Sequence, residues 1–198
     1  MAFKDLVDAV DHSAKRRRDR LIAVYIGVLA VALAICSVGA GNATKDAMAK
    51  NIEAANTWSF FQAKNIRRHV LRLQIGELEL LQAAEPELSE SARAVIAAQI
   101  KQYRDKEAHL NSEQEAGEGL KELLVKGKAL EAQRDYAMRK DRYFDYGMAL
   151  LQIAIVLASV SIISGGTSLL VLSVIISAFG IVSTLNGFTL VYTVPFIG

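Results

Sequence analysis

The chain has 198 residues, 52% of them hydrophobic, with 23 basic and 21 acidic side chains and a net charge of +2. Charge this evenly balanced offers no basic face to nucleic acid, and a single cysteine, Cys36, excludes an internal disulfide. Every charge lies in residues 1–20 or 45–145, so residues 21–44 and 146–198 are suited to a bilayer, which penalises a central charge by about 2.5–3.5 kcal/mol.

Residues 1–20 hold six bases and four acids. Phe3, Leu6, Val7 and Val10 recur at helical spacing against Asp5, Asp8 and Asp11, the pattern of a short amphipathic helix on a membrane surface or of a frayed tail. Arg16, Arg17 and Arg18 abut the first apolar run and act as its topology signal. That run, residues 21–40, is long enough to cross the hydrocarbon core, which needs about 20 residues. Its uninterrupted core exceeds the 7–15 residues of a secretory signal. It therefore reads as an uncleaved anchor, with Cys36 as a small packing residue.

Residues 41–145 read as a helical insert. Their composition is rich in Ala, Glu, Gln, Lys, Arg and Leu, and Pro86 is their only proline. After Ile52 a stripe of Ser59, Ala63, Ile66, Val70, Leu73, Leu80 and Ala84 follows spacings of three, four or seven, interrupted by Glu77. Lys64, Arg67, Arg68 and Arg72 fall on the opposite face. This predicts a coiled-coil-like seam. Glu85-Pro86-Glu87 breaks the helix. A second helix begins near Leu88-Ser89, with Ser89 and Ser91 as cap candidates. Gly117 and Gly119 mark a weaker break. A third pattern, Leu120, Leu123, Leu130, Tyr136, Ala137 and Tyr143, runs into the next apolar segment. Both ends of the insert meet the membrane, so the rise of Asn42 to Ala84, about 65 Å at 1.5 Å per residue, must be matched by the descent. The longer returning arm must therefore break near residues 107–119, giving a helical hairpin with a kinked second arm.

Residues 146–164 and 169–190 form the second and third spans, joined by the turn-rich Ser164-Gly165-Gly166-Thr167-Ser168. The two are expected to be antiparallel neighbours. Tyr143, Phe144 and Tyr146 before the second span and Phe188, Tyr192 and Phe196 after the third cluster at their far ends as interfacial aromatics. Loops beyond roughly 60 residues cross membranes largely regardless of charge. The expected topology therefore places the N-terminus in the cytoplasm, with the insert and the C-terminus outside.

Catalytic signals are few. His12, His69 and His109 show no ligand spacing. The Glu85, Glu87, Glu90 and Glu113, Glu115, Glu118 groups read as solvated helix-end charge. Gly117-Glu118-Gly119 follows no strand and is no phosphate loop. No ionisable residue lies inside a span, which argues against an ion or proton carrier. Small residues recur four apart instead, at Ala23/Gly27, Ala30/Ala34, Ala154/Ala158, Ser173/Ser177 and Ser183/Gly187, a spacing that lets helices pack closely in lipid. Trp58, Phe60 and Phe61 are candidates either for packing or for binding a partner.

Two stretches carry a resemblance. Ala55-Asn56-Thr57-Trp58-Ser59-Phe60-Phe61-Gln62-Ala63-Lys64-Asn65-Ile66 resembles the Trp-aromatic-aromatic-Gln-Ala-Lys signature of a bacterial membrane-protein family of unknown function, the domain of unknown function 4337 type. Leu150-Leu151-Gln152-Ile153-Ala154-Ile155-Val156-Leu157-Ala158-Ser159 resembles its second-span motif, and Asp135-Tyr136, Arg139 and Phe144 also fit. The likeness covers residues 40–165. Phe60-Phe61 departs from the tyrosines of the signature, so no hydroxyl role carries over. The resemblance implies a bacterial inner membrane and a helical architecture, and no activity.

The sequence thus predicts an all-α, three-span integral membrane protein with a coiled-coil-like extramembrane hairpin in the periplasm. The expected function is non-enzymatic: a scaffold or assembly protein, without metal or cofactor, that self-associates through the hairpin and the small-residue spans and presents the distal tip near Ala84–Leu88 and Glu113–Gly119 to a protein partner, with Trp58, Phe60, Phe61, Ile66, Val70 and Leu73 as interaction candidates. The alternative is a homo-oligomeric channel or transporter accessory, with Ser, Thr and Asn of the third span lining a polar path.

Overall fold

A computed structural model of the chain describes residues 2–85, 87–113 and 115–192, with side chains from Lys15 onward. The expected amphipathic face at Phe3, Leu6, Val7 and Val10 lies outside the described side chains, as do His12, Pro86 and Phe196. Among the described residues there are four α-helices and no strand: α1 (Ala2–Ala84), α2 (Glu90–Asn111), α3 (Leu120–Ser164) and α4 (Thr167–Thr189). Three of these, α1, α3 and α4, contain stretches long and apolar enough to cross a membrane.

The helix ends follow local chemistry. Ser89 caps α2, its hydroxyl accepting from the Ala92 N–H at 3.3 Å, the expected N-cap geometry. Helix α3 closes at Gly165, whose φ of +69° suits a residue without a Cβ. Helix α4 ends at Leu190 in the left-handed region, with its N–H on the Asn186 carbonyl at 2.7 Å. The Asn186 side chain fastens the chain beyond, donating to the Tyr192 carbonyl and accepting from the Tyr192 N–H. Neither the 20/21 nor the 40/41 boundary of the sequence reading interrupts α1. No proline stands between Arg20 and Ala84, and an interior glycine such as Gly41 costs a helix only about 1 kcal/mol.

The chain divides into two units: residues 1–47 with 135–198, and residues 48–134. In the first, the apolar unit, α3 and α4 are antiparallel. Ser173 donates to the Ala154 carbonyl at 2.7 Å, and Ser183 donates to the Tyr143 carbonyl at 2.7 Å. Helix α1 runs alongside α4, with the Tyr25 hydroxyl near those of Ser173 and Ser177 (3.2 and 2.9 Å) and the Thr184 hydroxyl on Cys36 Sγ (3.2 Å). The interior is built from Leu29, Cys36, Ala40, Ala43, Phe144, Leu151 and Ala154.

In the second, the polar unit, side-chain rungs record antiparallel pairing of α1 with both returning helices. Arg68 reaches Asn111, Arg72 reaches Glu107 and Glu79 reaches Arg104, so α2 descends as α1 rises. Trp58 meets Glu131, and Asn51 meets Arg134, which sets α3 the same way. The returning arm breaks at residues 112–119, as the length argument required.

Candidate functional site

The polar unit turns a different face inward from the one its apolar stripe predicts. The buried or half-buried side of α1 reads Ala54, Thr57, Phe61, Lys64, Arg68, Leu71, Ile75, Leu78 and Gln82, alternating steps of three and four without a break. The predicted seam faces outward: Ile52 is 61% exposed, Ile66 63%, Leu73 69% and Leu80 73%. Val70, Ser59, Ala63 and Ala84 are exposed on the same side. Of the expected polar face, Lys64 and Arg68 lie inside, while Arg67 and Arg72 stay exposed. This reverses the orientation expected of the seam. Long Lys and Arg stems cover apolar surface while their charged ends reach polar partners, so two cations are compatible with an inward stripe.

Those partners come from the break between α2 and α3. The buried Lys64 ammonium donates to the Glu118 carbonyl at 2.6 Å and to the Glu113 carboxylate at 3.2 Å. His109 lies 3.2 Å from the other Glu113 oxygen. Glu122 accepts from the Ser112 hydroxyl at 2.7 Å and from the Glu113 N–H. The Ser112 hydroxyl bond, foremost, holds its carboxyl below the usual carboxylate range. Gly119 is required by crowding, because a Cβ there would strike the Glu122 carboxylate and the Ser112–Glu113 backbone. The acidic run read as solvated helix-end charge therefore contains the group that pairs Lys64. Only the three-dimensional approach of residue 64 to residues 113–118 reveals it.

The aromatic triad divides. The Trp58 indole N–H donates to Glu131 at 2.9 Å, its ring lies where a Cβ on Gly127 would sit, and it meets Phe61 edge-on at 5.6 Å. Phe60 is 39% exposed, and the Lys64 ammonium stands 5.0 Å from its ring centroid. Trp58 and Phe61 are thus internal to the unit, while Phe60, Ile66, Val70 and Leu73 remain available from outside.

In the apolar unit, Tyr143 and Phe144 also turn inward. Phe144 is wedged between Gly39 and Gly187, each too close for a Cβ, and meets Phe188 edge-on at 4.8 Å. The Tyr143 hydroxyl donates to the Tyr192 carbonyl at 3.0 Å. Tyr146 and Tyr192 are exposed. Arg16 and Arg17 are exposed, whereas Arg18 donates to the carbonyls of Gly165 and Ser161, satisfying the end of α3. Of the small-residue pairs, Ala154/Ala158 and Ser173/Ser177 are buried and Gly187 is buried beside half-buried Ser183. Ala23, Gly27, Ala30 and Ala34 face outward. A Cβ on Gly27 would meet nothing within 4 Å.

Among the described residues no group of three or more His, Cys, Asp or Glu side chains is placed to hold a metal ion. What the arrangement offers is surface: an outward apolar seam on α1 from Ile52 to Ala84, and an outward small-residue stripe from Ala23 to Ala34.

A family model described as a domain of unknown function (DUF4337) matches residues 18–190. This is most of the chain, and the protein belongs to that family. No curated protein and no solved structure matches it.

Proposed function

We propose that this member of the DUF4337 family is a multi-pass membrane scaffold that self-associates through α1 and presents its helical insert to a protein partner. It performs no catalysis in this reading. The observation that carries it is the outward seam Ile52, Ile66, Val70, Leu73 and Leu80, which stays exposed among the described residues. Moving a Leu or Ile fully out of water is worth about 1.5–3 kcal/mol. Ten such side chains from two copies yield on the order of 10 kcal/mol even when heavily discounted for partial burial. That is comparable with the roughly 4–15 kcal/mol lost on association. The outward stripe Ala23, Gly27, Ala30 and Ala34 supplies a second close-packing face in lipid.

The membrane reading draws support from the apolar unit, whose Ser161, Ser173, Ser177 and Thr184 side chains point inward while Val24, Val28, Val31, Ile35, Val156, Phe179 and Val182 point outward. We place the N-terminus and the α3–α4 turn on the cytoplasmic face of a bacterial inner membrane. Arg16, Arg17 and Arg18 favour that side, and Arg18 bonds the turn itself. The insert then stands in the periplasm. A channel is less well supported, because Ser173, Ser177 and Thr184 are buried and hydrogen-bonded within the bundle and Asn186 is engaged by Tyr192.

The test is the mass of the full chain in mild detergent by light scattering, with Ile66→Asp/Leu73→Asp beside wild type. A multimer that falls to monomer in the double variant, at unchanged helicity, is expected. A strictly monomeric wild type overturns self-association.

A further inference from the structure

We propose that the apolar unit carries a binding site for the headgroup of a zwitterionic, amine-bearing phospholipid. It lies in the open cavity between α1, α3 and α4 where their charge-free stretches end. This rests on the membrane reading above but not on self-association.

The cavity, about 270 Å³, is lined by residues that include Gly39, Asn42, Asp46, Lys140, Phe144 and Phe188. Its position is set by sequence. On α1 the last charge-free residue is Thr44, on α3 the first is Tyr146, and α4 ends at Thr189. The cavity is therefore apolar toward the spans (Gly39, Phe144, Gly187, Phe188) and polar on the side where charge begins (Asn42, Asp46, Lys140).

The two charges make the chemistry specific. Asp46 on α1 and Lys140 on α3 have opposite sign and line one cavity, yet neither makes an ion pair among the described residues. Lys140 rests its ammonium 4.8 Å from the Tyr136 ring centroid. The neighbouring carboxylate, Asp141, is occupied in accepting from the Thr44 hydroxyl at 2.8 Å. A group that brings an anion and a primary ammonium together satisfies both: phosphate toward Lys140, ammonium toward Asp46, with the Asn42 amide between. Charge-assisted hydrogen bonds of this kind are shorter and stronger than those between neutral groups. An anionic headgroup would leave Asp46 opposed to its own charge. The apolar floor beside Phe188 accommodates the start of acyl chains, which a soluble ligand lacks.

The experiment uses the full chain, delipidated in mild detergent. It is titrated with short-chain phosphatidylethanolamine, short-chain phosphatidylglycerol and free phosphoethanolamine, and read by native mass spectrometry and thermal shift. We expect the ethanolamine lipid to bind more tightly than the glycerol lipid. Asp46→Asn should lower that preference roughly tenfold, one charge-assisted bond. Lys140→Gln should weaken both lipids. Asn42→Phe, which fills the cavity while leaving both charges, should block both; unchanged helicity identifies a folded variant. Equal binding of the two lipids, or a preference untouched in Asp46→Asn, overturns the site. Free phosphoethanolamine binding as tightly as the lipid overturns the lipid as ligand. A chain that extracts from cells without detergent fails the membrane reading itself, whereas a detergent-dependent chain without lipid preference fails this inference alone.

Discussion

In the apolar unit the small residues Cys36, Ala154, Ala158, Ser161 and Ser173 are buried beside Leu29, Phe144 and Leu151, and Val24, Val31, Ile35 and Val156 face outward. In the polar unit Lys64 lies inside with Ile75, Leu123 and Leu130, and an apolar stripe of α1 faces outward. Both regions are helical, and both leave apolar surface uncovered, but for different reasons. In the membrane reading proposed above, lipid covers the outward Val and Ile side chains of the apolar unit, and close packing of small residues helps hold its helices together. The exposed stripe of α1 could be covered by one further helix.

The largest effect should come from removing the wedge that sets the apolar unit. Phe144→Ala vacates the space between Gly39 and Gly187 and is expected to cost about 3 kcal/mol, read as a lowered midpoint of thermal unfolding in detergent. A midpoint within a degree of wild type would mean the helices are held elsewhere. Charge placed on the two outward faces should then separate the units. Val31→Asp is expected to impair membrane insertion by about 2.5–3.5 kcal/mol, seen as protein lost from the membrane fraction. Ile66→Asp should insert normally. Equal loss for both would erase the distinction between a lipid-facing and a water-facing surface.

Within the polar unit, Lys64→Ala leaves the Glu118 carbonyl and Glu113 without their cation. It should destabilise that unit by about 2 kcal/mol, measurable as earlier proteolysis near residues 112–119. A cleavage pattern identical to wild type would deny Lys64 its role. In the proposed assembly two copies anchored in one bilayer would run parallel, so each seam residue would face its own counterpart and Glu77 would meet Glu77. Glu77→Leu is therefore expected to tighten self-association by about 1 kcal/mol, roughly fivefold, on a dilution series. Weaker association would argue for an antiparallel or foreign partner. The smallest effect concerns Glu122. Its folded pKa lies below the unfolded value, so its contribution is present above the unfolded pKa and is lost as pH falls through the folded one. Glu122→Gln should flatten the acid side of the stability profile; a curve parallel to wild type down to low pH would remove the Ser112 bond as its cause.

Much of the architecture was legible because its signals are local. Ser89 as a cap, the break near Gly117 and Gly119, the Gly165 turn and the continuity of the third pattern into the second span each depend on a few neighbouring residues. The facing of α1 was not. Its sequence holds two stripes at the same spacing, one apolar through Ile66 and Leu73, one mixed through Phe61, Lys64 and Ile75. Apolarity favours the first as the interior. The mixed stripe is inside because Glu113, Glu118 and Asn111 approach it, and those partners are 43–54 residues away. The inward turn of Phe144 escaped for a similar reason: an aromatic at a span end reads as an interfacial anchor until glycines on two other helices are seen to make room for it.

The order of helices and the separation of charged from charge-free chain were written in the sequence, because helix propensity, caps, breaks and the cost of charge in lipid act residue by residue. Which stripe of α1 turned inward, which acid paired Lys64 and which small residues stayed outside were decided by tertiary structure. Each of those outcomes depends on a partner distant along the chain, and the free energy of a pairing exists only once both halves are in place.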